Sequence, residues 1–157
     1  MPRRKFMKMV WVAIISVSVL ELSAVIIAFL TSGGRKSLAT GASGLKMLGR
    51  VEEFGNDTVS AFRSNRLYLV RMEDGGFLAM SLHCTHLGCA VSWNKDKREF
   101  DCPCHASSFS LRGEVISPPA PRALDLYPIR IEGGMVKADL SHPVKRKKFD
   151  PSQLTYA

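Results

Sequence analysis

The 157 residues suffice for one compact domain with a small appendage, and a hydrophobic fraction of 46% excludes intrinsic disorder for most of the chain. The net charge of +8 comes from the two ends, because residues 45–141 hold 12 basic and 12 acidic side chains. This balance provides no basic face for a nucleic-acid-binding domain. A domain of about 100 residues cannot also hold a large catalytic partner domain.

The first predicted element is a membrane-spanning helix over residues 9–31. This segment carries one charge, Glu21, and as a helix it would be about 34 Å long, enough to cross a bilayer core of about 30 Å. It exceeds the apolar region of a cleaved signal peptide, and no small-x-small cleavage pattern follows it. Since a charge at mid-bilayer is costly, Glu21 is either protonated or directed at a partner helix.

Residues 1–8 form a basic segment before the helix. The positive-inside rule places them in the cytoplasm, which puts the following domain on the outer, periplasmic face of the cell (inner) membrane. Arg3 and Arg4, with Phe6 and Lys8, resemble a twin-arginine export signal, a route that carries folded proteins and suits a domain that acquires a cofactor in the cytoplasm. A plain positively charged leader is the alternative.

Residues 32–44 are rich in glycine and serine and predict a flexible neck, which serves either as a spacer or as a hinge. From residue 45 to 141 the pattern predicts a small, mostly antiparallel β domain, so the fold class is mostly β with one N-terminal transmembrane helix. Three hairpins are expected, pairing 67–72 with 77–82, 91–93 with 98–100, and 126–131 with 135–138.

Residues 142–157 form a basic tail with a run of four cationic residues, 145–148. Such runs are usually solvated surface. Contact with anionic headgroups or with a partner protein is the alternative.

All four cysteines lie in two short boxes, Cys-Thr-His-Leu-Gly-Cys at 84–89 and Cys-Pro-Cys-His-Ala-Ser at 102–107. Two plain disulfides would leave His86 and His105 without a role. A zinc site could use one cysteine and one histidine from each box, namely Cys84, His86, Cys102 and His105, although this is not the usual zinc-finger spacing.

A binuclear iron–sulfur cluster uses the two boxes more completely, since each box offers one thiolate and one imidazole. Histidine ligation of one iron raises the potential to roughly −150 to +300 mV, compared with far lower values for all-cysteine clusters. The imidazoles can also titrate, which allows electron and proton transfer to be coupled.

The double motif resembles the Rieske [2Fe-2S] proteins, specifically the anchored subunit of cytochrome bc complexes, whose pattern is Cys-x-His-Leu-Gly-Cys and, after about 15 residues, Cys-Pro-Cys-His-Gly-Ser. Here 15 residues separate His86 from Cys102, and the resemblance extends from the anchor to about residue 140. It implies one cluster per chain. The implied ligands are Cys84 and Cys102 on one iron and His86 and His105 on the other, through nitrogens near the protein surface, with a disulfide between Cys89 and Cys104.

The resemblance also implies residues that tune the cluster. Ser107 corresponds to the family serine that donates a hydrogen bond toward a cluster sulfide. Phe109 stands where high-potential members have tyrosine, which predicts a lower potential suited to menaquinol. Ala106 replaces the family glycine. The implied cover loop contains Pro118, Pro119 and Pro121, with Pro118 where glycine is common.

The implied function is electron transfer, in which the chain passes one electron from quinol at a partner cytochrome b to a c-type cytochrome. His86 or His105 would accept a hydrogen bond from the quinol hydroxyl and help to remove its proton. The chain would be the redox subunit of a quinol–cytochrome c oxidoreductase and not a complete enzyme.

Two alternatives remain: an anchored Rieske subunit of another exported oxidoreductase, such as arsenite oxidase, or a stalked interaction module with structural zinc. Ring-hydroxylating oxygenases share the cluster motif, but they need a second, mononuclear-iron domain for which this chain has no room.

Overall fold

A computed structural model describes residues 2–32 and 44–157. The predicted neck therefore lies almost entirely outside the described residues. The chain divides into two compact units, residues 1–41 and 42–157.

The described residues of the first unit, 2–32, form one long helix, α1 (Arg3–Ser32). Residues Arg3–Phe29 are long and apolar enough to cross a membrane, with a mean hydropathy of 2.5 over an 18-residue window, and they contain most of the predicted span. Two serines on this helix donate their hydroxyls to the backbone carbonyls four residues earlier, at distances of 2.7–2.8 Å. These bonds satisfy polar groups that a bilayer could not solvate.

The second unit is built from three antiparallel sheets, as the mostly β prediction requires. Within residues 44–157 the only helical segments are three short 3₁₀ turns, Val51–Glu53, Arg63–Asn65 and the C-terminal Pro151–Gln153. The strands are β1 (Leu45–Arg50), β2 (Thr58–Phe62), β3 (Leu67–Arg71), β4 (Phe77–Ser81), β5 (Ser92–Asn94), β6 (Glu99–Asp101), β7 (Ser108–Ser110), β8 (Val115–Ser117), β9 (Leu126–Tyr127), β10 (Ile129–Glu132) and β11 (Met135–Asp139).

Two of the sheets form the base of the domain, in the orders β1-β11-β10 and β2-β3-β4-β9. The hairpin β3–β4 is confirmed, and every residue of both strands except Arg71 is buried. The third predicted hairpin is only partly right, because its first strand is split. Pro128 has no N–H to continue a ladder, so β9 pairs with β4 whereas β10 pairs with β11.

The third sheet, β5-β6-β7-β8, carries the two cysteine boxes. Its first hairpin is confirmed, one residue later than predicted. In the ladder between β6 and β7, Phe100 pairs with Phe109, and both rings are fully buried. One box follows β4 and the other connects β6 to β7, so the sheet brings the two boxes to the same end of the domain.

Residues 142–157 pack onto the β domain. Val144 bridges to Leu126, and Thr155 bridges to Phe77 at the edge of β4. Lys145, Lys147 and Lys148 are exposed, as expected for a solvated run. Arg146 is buried, however, with 7% of its surface accessible.

Candidate metal centre

The two cysteine boxes fold into loops with the same backbone hydrogen bonds. In the first loop the Cys84 N–H donates to the Cys89 carbonyl at 2.8 Å, and the Gly88 N–H donates to the Cys84 carbonyl at 2.9 Å. In the second loop the Cys102 N–H donates to the Ser107 carbonyl at 2.8 Å, and the Ala106 N–H donates to the Cys102 carbonyl at 3.1 Å. The two loops therefore present their cysteine and histidine side chains in equivalent positions.

This loop geometry requires a left-handed residue at its fifth position. Gly88 has φ of +80° and Ala106 has φ of +57°. The alanine that replaces the family glycine thus keeps the loop path and adopts a conformation that costs a residue with a Cβ about 1–2 kcal/mol.

Replacing Ala106 by glycine should therefore stabilise the domain by about 1 kcal/mol, because it removes this strain. Thermal unfolding measures the change. The matched control is Gly88→Ala, which imposes the same strain on the other loop without a clash, since no heavy atom lies within 4 Å of the added Cβ. It should destabilise by a similar amount. An unchanged or lower melting temperature for Ala106→Gly would contradict the inference that the backbone at Ala106 is strained.

The structure brings all four sequence-predicted ligand residues together. Cys84 and Cys102 are free thiols and both are buried, and their side chains are close enough to hydrogen bond to each other. The rings of His86 and His105 meet edge to face, with centroids 4.8 Å apart. His86 is half-buried and His105 is exposed.

A disulfide between Cys89 and Cys104 joins the two loops, with an Sγ–Sγ distance of 2.08 Å. The predicted pairing is confirmed. The Sγ atom of Cys102 lies within 4.8 Å of both disulfide sulfurs. Because those two sulfurs are bonded to each other, only Cys102 of these three can offer a thiolate to a metal.

The burial and pairing of these side chains fit a bound metal centre. Burial raises the pKa of the Cys84 thiol and the neighbouring Cys102 thiol raises it further, against opposing hydrogen bonds from the His86 amide and the Ser107 hydroxyl. The Nδ1 atom of His86 is buried and has no hydrogen-bond partner. A buried imidazole nitrogen without a partner is costly, and a metal ion would satisfy it.

The proline segment contacts both loops. The Ala120 N–H donates to Ser107 Oγ at 3.0 Å, which leaves the Ser107 hydroxyl proton free to donate to sulfur. On the other loop, Thr85 Oγ1 donates to the Arg122 carbonyl at 2.6 Å. These bonds attach the predicted cover loop, with Pro118, Pro119 and Pro121, to the cysteine boxes.

Sequence reasoning missed Thr85 and the backbone of Ala120 and Arg122. Thr85 lies between Cys84 and His86, and that position was a usable signal for a role in the site. The Ala120 contact is made by a backbone amide, which leaves no trace in residue identity.

Phe109 lies on β7, fully buried in the same apolar group as Cys84 and Cys102. It offers no hydroxyl to the sulfurs. Ser107 is also buried, with 1% of its surface accessible. The two residues predicted to tune a cluster are therefore both inside the domain, with Ser107 within hydrogen-bonding reach of Cys84.

Each of the two loops supplies a cysteine and a histidine, a disulfide joins the loops, and a proline-rich segment contacts both. This arrangement defines an iron–sulfur domain of the Rieske type. The family model for the Rieske [2Fe-2S] domain matches residues 45–128, and the chain belongs to this family. Membership implies a [2Fe-2S] cluster, and the donor set described above fits one.

The chain is similar to the cytochrome b6-f complex iron-sulfur subunit of Chlorobaculum thiosulfatiphilum, with 38% identity over 90 residues, which cover 57% of this chain and 50% of that one. The corresponding subunit of Synechococcus sp. (strain JA-3-3Ab) is 48% identical over 54 residues, 34% of this chain and 31% of that one. The chain thus spans a third to a half of the length of these curated relatives.

Solved structures also match. A chain described as hyperthermophilic respiratory Complex III is 28% identical with a TM-score of 0.48, covering 78% of this chain and 98% of that one. The quaternary ammonium Rieske monooxygenase CntA is 17% identical with a TM-score of 0.51, covering 65% and 34%. The likeness to CntA shows the shared fold alone.

Proposed function

We propose that the chain is the electron-transfer subunit of a bc-type complex, passing one electron from a quinol at cytochrome b to a c-type cytochrome. The observation that carries the proposal is the convergence of two buried free thiols and two imidazoles on disulfide-linked loops. The relatives named as iron-sulfur subunits of cytochrome b6-f complexes support this choice of complex.

In this proposal Cys84 and Cys102 hold one iron, while His86 and His105 hold the other. When bound, the cluster supplies a one-electron redox centre at a potential raised by its two neutral ligands. The remaining work belongs to the chain. The Ser107 hydroxyl donates toward sulfur and stabilises added negative charge, and the burial of Cys84 and Cys102 limits the access of water to the thiolates.

The proton is assigned to a histidine at the surface. His105 is exposed, so its ring can accept a hydrogen bond from a quinol hydroxyl and hold the proton at the nitrogen that faces away from the metal. His86 can act in the same way through Nε2, since its Nδ1 is directed inward.

A low midpoint potential suits menaquinol as the electron donor, and we expect it because Phe109 provides no hydroxyl to the ligand sulfurs.

We further propose that α1 anchors the chain in the membrane, with residues 1–8 in the cytoplasm and the β domain outside. Export by the twin-arginine route agrees with a cluster that is inserted before translocation. Co-purification with a cytochrome b would support the complex, whereas co-purification with a molybdenum subunit would contradict it.

An EPR-monitored redox titration of the purified chain at several pH values tests the function directly. We expect a Rieske-type signal and a midpoint potential that falls with rising pH, because the bound cluster would couple its reduction to proton uptake at a ligand histidine. The limiting slope is about 59 mV per pH unit for one proton and one electron. Protein that contains zinc without iron, and gives no signal, would contradict the proposal.

A further inference from the structure

The buried side chain of Arg146 distinguishes it from its neighbours in the basic run. Burial lowers the pKa of Arg146 to about 10, against the opposing charges of Glu114 and Asp125, so the guanidinium stays charged at neutral pH. A buried cation is costly unless several hydrogen bonds satisfy it. The partners of Arg146 therefore indicate what its burial achieves.

The guanidinium binds both ends of the segment that carries the proline loop. Its Nε donates to the Leu124 carbonyl at 2.9 Å, and its Nη2 donates to the Arg112 carbonyl. Nη1 donates to Gln153 Oε1 at 2.8 Å, which ties the group to the C-terminal 3₁₀ turn. Arg112 lies before β8 and Leu124 lies after the prolines, so one side chain closes the base of the loop.

The space around the guanidinium is shaped to fit it. Gly113 has φ of +76°, and a Cβ at this position would lie 2.6 Å from Met80 Sδ and 2.7 Å from Arg146 Nη2. The Gly113 carbonyl accepts from the Leu124 N–H at 2.9 Å. The turn, the end of the proline loop and Arg146 thus form one interlocked set.

One end of this set, Leu124, lies within a few residues of the contacts that the loop makes with both cysteine boxes. Leu124 follows Arg122 by two residues, and the Arg122 carbonyl accepts from Thr85 in the first box. In the same segment, the Ala120 N–H donates to Ser107 in the second box. A displacement of the loop base would therefore be transmitted to both boxes.

We propose that Arg146 is a positioning residue, whose guanidinium holds residues 118–124 against the two cysteine boxes and so determines how tightly the cluster is retained and shielded. Arg146 lies outside the part of the chain that matches the Rieske family model. The cluster-retention part rests on the proposed function, whereas the positioning part concerns the chain alone.

The test compares Arg146→Gln with Lys147→Gln in the full-length, cluster-loaded protein. Both variants remove one positive charge from adjacent residues, but only the first removes the buried hydrogen bonds. We expect amide hydrogen exchange at Ala120 and Leu124 to accelerate at least about tenfold in Arg146→Gln, the equivalent of one charge-assisted hydrogen bond, and not in Lys147→Gln. Bleaching of the cluster by an iron chelator should accelerate with it.

Arg146→Lys separates geometry from charge, because lysine keeps the positive charge but cannot donate to all three acceptors as the guanidinium does. It should resemble Arg146→Gln, and wild-type protection in this variant would overturn the proposal. If Arg146→Gln does not fold, Gly113→Ala provides the second route, since its methyl crowds the guanidinium, together with Met80 Sδ, without removing it. Exchange is then read at Ala120, because the Leu124 N–H donates directly to the Gly113 carbonyl. Unchanged exchange at Ala120 in a folded Gly113→Ala would likewise overturn the proposal.

Val136→Ala serves as the control for a general loss of stability, because it opens a cavity in the separate apolar group of the base sheets. At equal loss of melting temperature it should leave the exchange at Ala120 and Leu124 nearer to wild type. Equal local acceleration would overturn the proposal. A wild-type protein without a Rieske EPR signal would contradict the proposed function. The comparison of amide exchange between the variants would still decide whether Arg146 is a positioning residue.

Discussion

Replacing both Cys89 and Cys104 by serine is expected to lower the free energy of unfolding of the domain by about 3 kcal/mol. The disulfide closes a segment with a sequence separation of 15, and a loop of about this length gives an entropy gain of that size. For a domain of roughly 115 residues this corresponds to a fall in melting temperature of about 10–15 °C. Thermal unfolding followed by circular dichroism measures the shift.

Without the disulfide, the two loops should also bind the metal centre less tightly. The disulfide is the covalent link between the two boxes, so its removal lets the Cys84–His86 and Cys102–His105 pairs separate. We expect the doubly substituted protein to bleach faster than wild type with an iron chelator at a temperature at which both are folded.

A reductant provides the internal control for this prediction. It should lower the melting temperature of the wild-type chain toward that of the double variant and leave the double variant unchanged. A double variant as stable as wild type would contradict a stabilising disulfide. So would a wild-type protein whose melting temperature does not fall when reductant is added.

The parts of the fold that sequence predicted are those governed by local pattern. The hairpins β3–β4 and β5–β6 follow from short strand-like segments that flank turn residues. The single strand expected over 126–131 failed at Pro128, because the apolar pattern continues across a residue that cannot extend the ladder.

The site was predictable to the extent that its residues are spaced along the chain in a specific motif. Cys84, His86, Cys102 and His105 lie together in the structure because two short loops with the same hydrogen-bond pattern carry them. The supporting contacts were not predictable. Thr85 reaches a carbonyl 37 residues away, and Arg146 looks like any member of a basic run until its partners are known.

The strain at Ala106 shows the same limit in the backbone. Its sequence position marks a departure from the family glycine, but only the observed φ of +57° turns that departure into an energetic statement. A residue's identity indicates what it can bond to, whereas its backbone conformation depends on the hydrogen bonds of the whole loop.

Phe109→Tyr is expected to raise the midpoint potential of the cluster by about 50 mV. The new hydroxyl would lie in the buried apolar group that contains Cys84 and Cys102. A hydrogen bond donated to a ligand sulfur stabilises the reduced, more negative state. About 1 kcal/mol of preference for that state corresponds to roughly 40–50 mV in a one-electron couple. The EPR-monitored titration measures this shift at fixed pH.

The matched control is Phe77→Tyr, which buries the same hydroxyl in the other apolar group, among the base strands. It should leave the potential within a few millivolts of wild type. The two variants should also differ in stability, because a buried hydroxyl without a partner costs about 1–3 kcal/mol. A hydroxyl that finds the sulfur at position 109 avoids that cost. A Phe109→Tyr protein with an unchanged potential would remove the physical basis for assigning a low-potential quinol such as menaquinol.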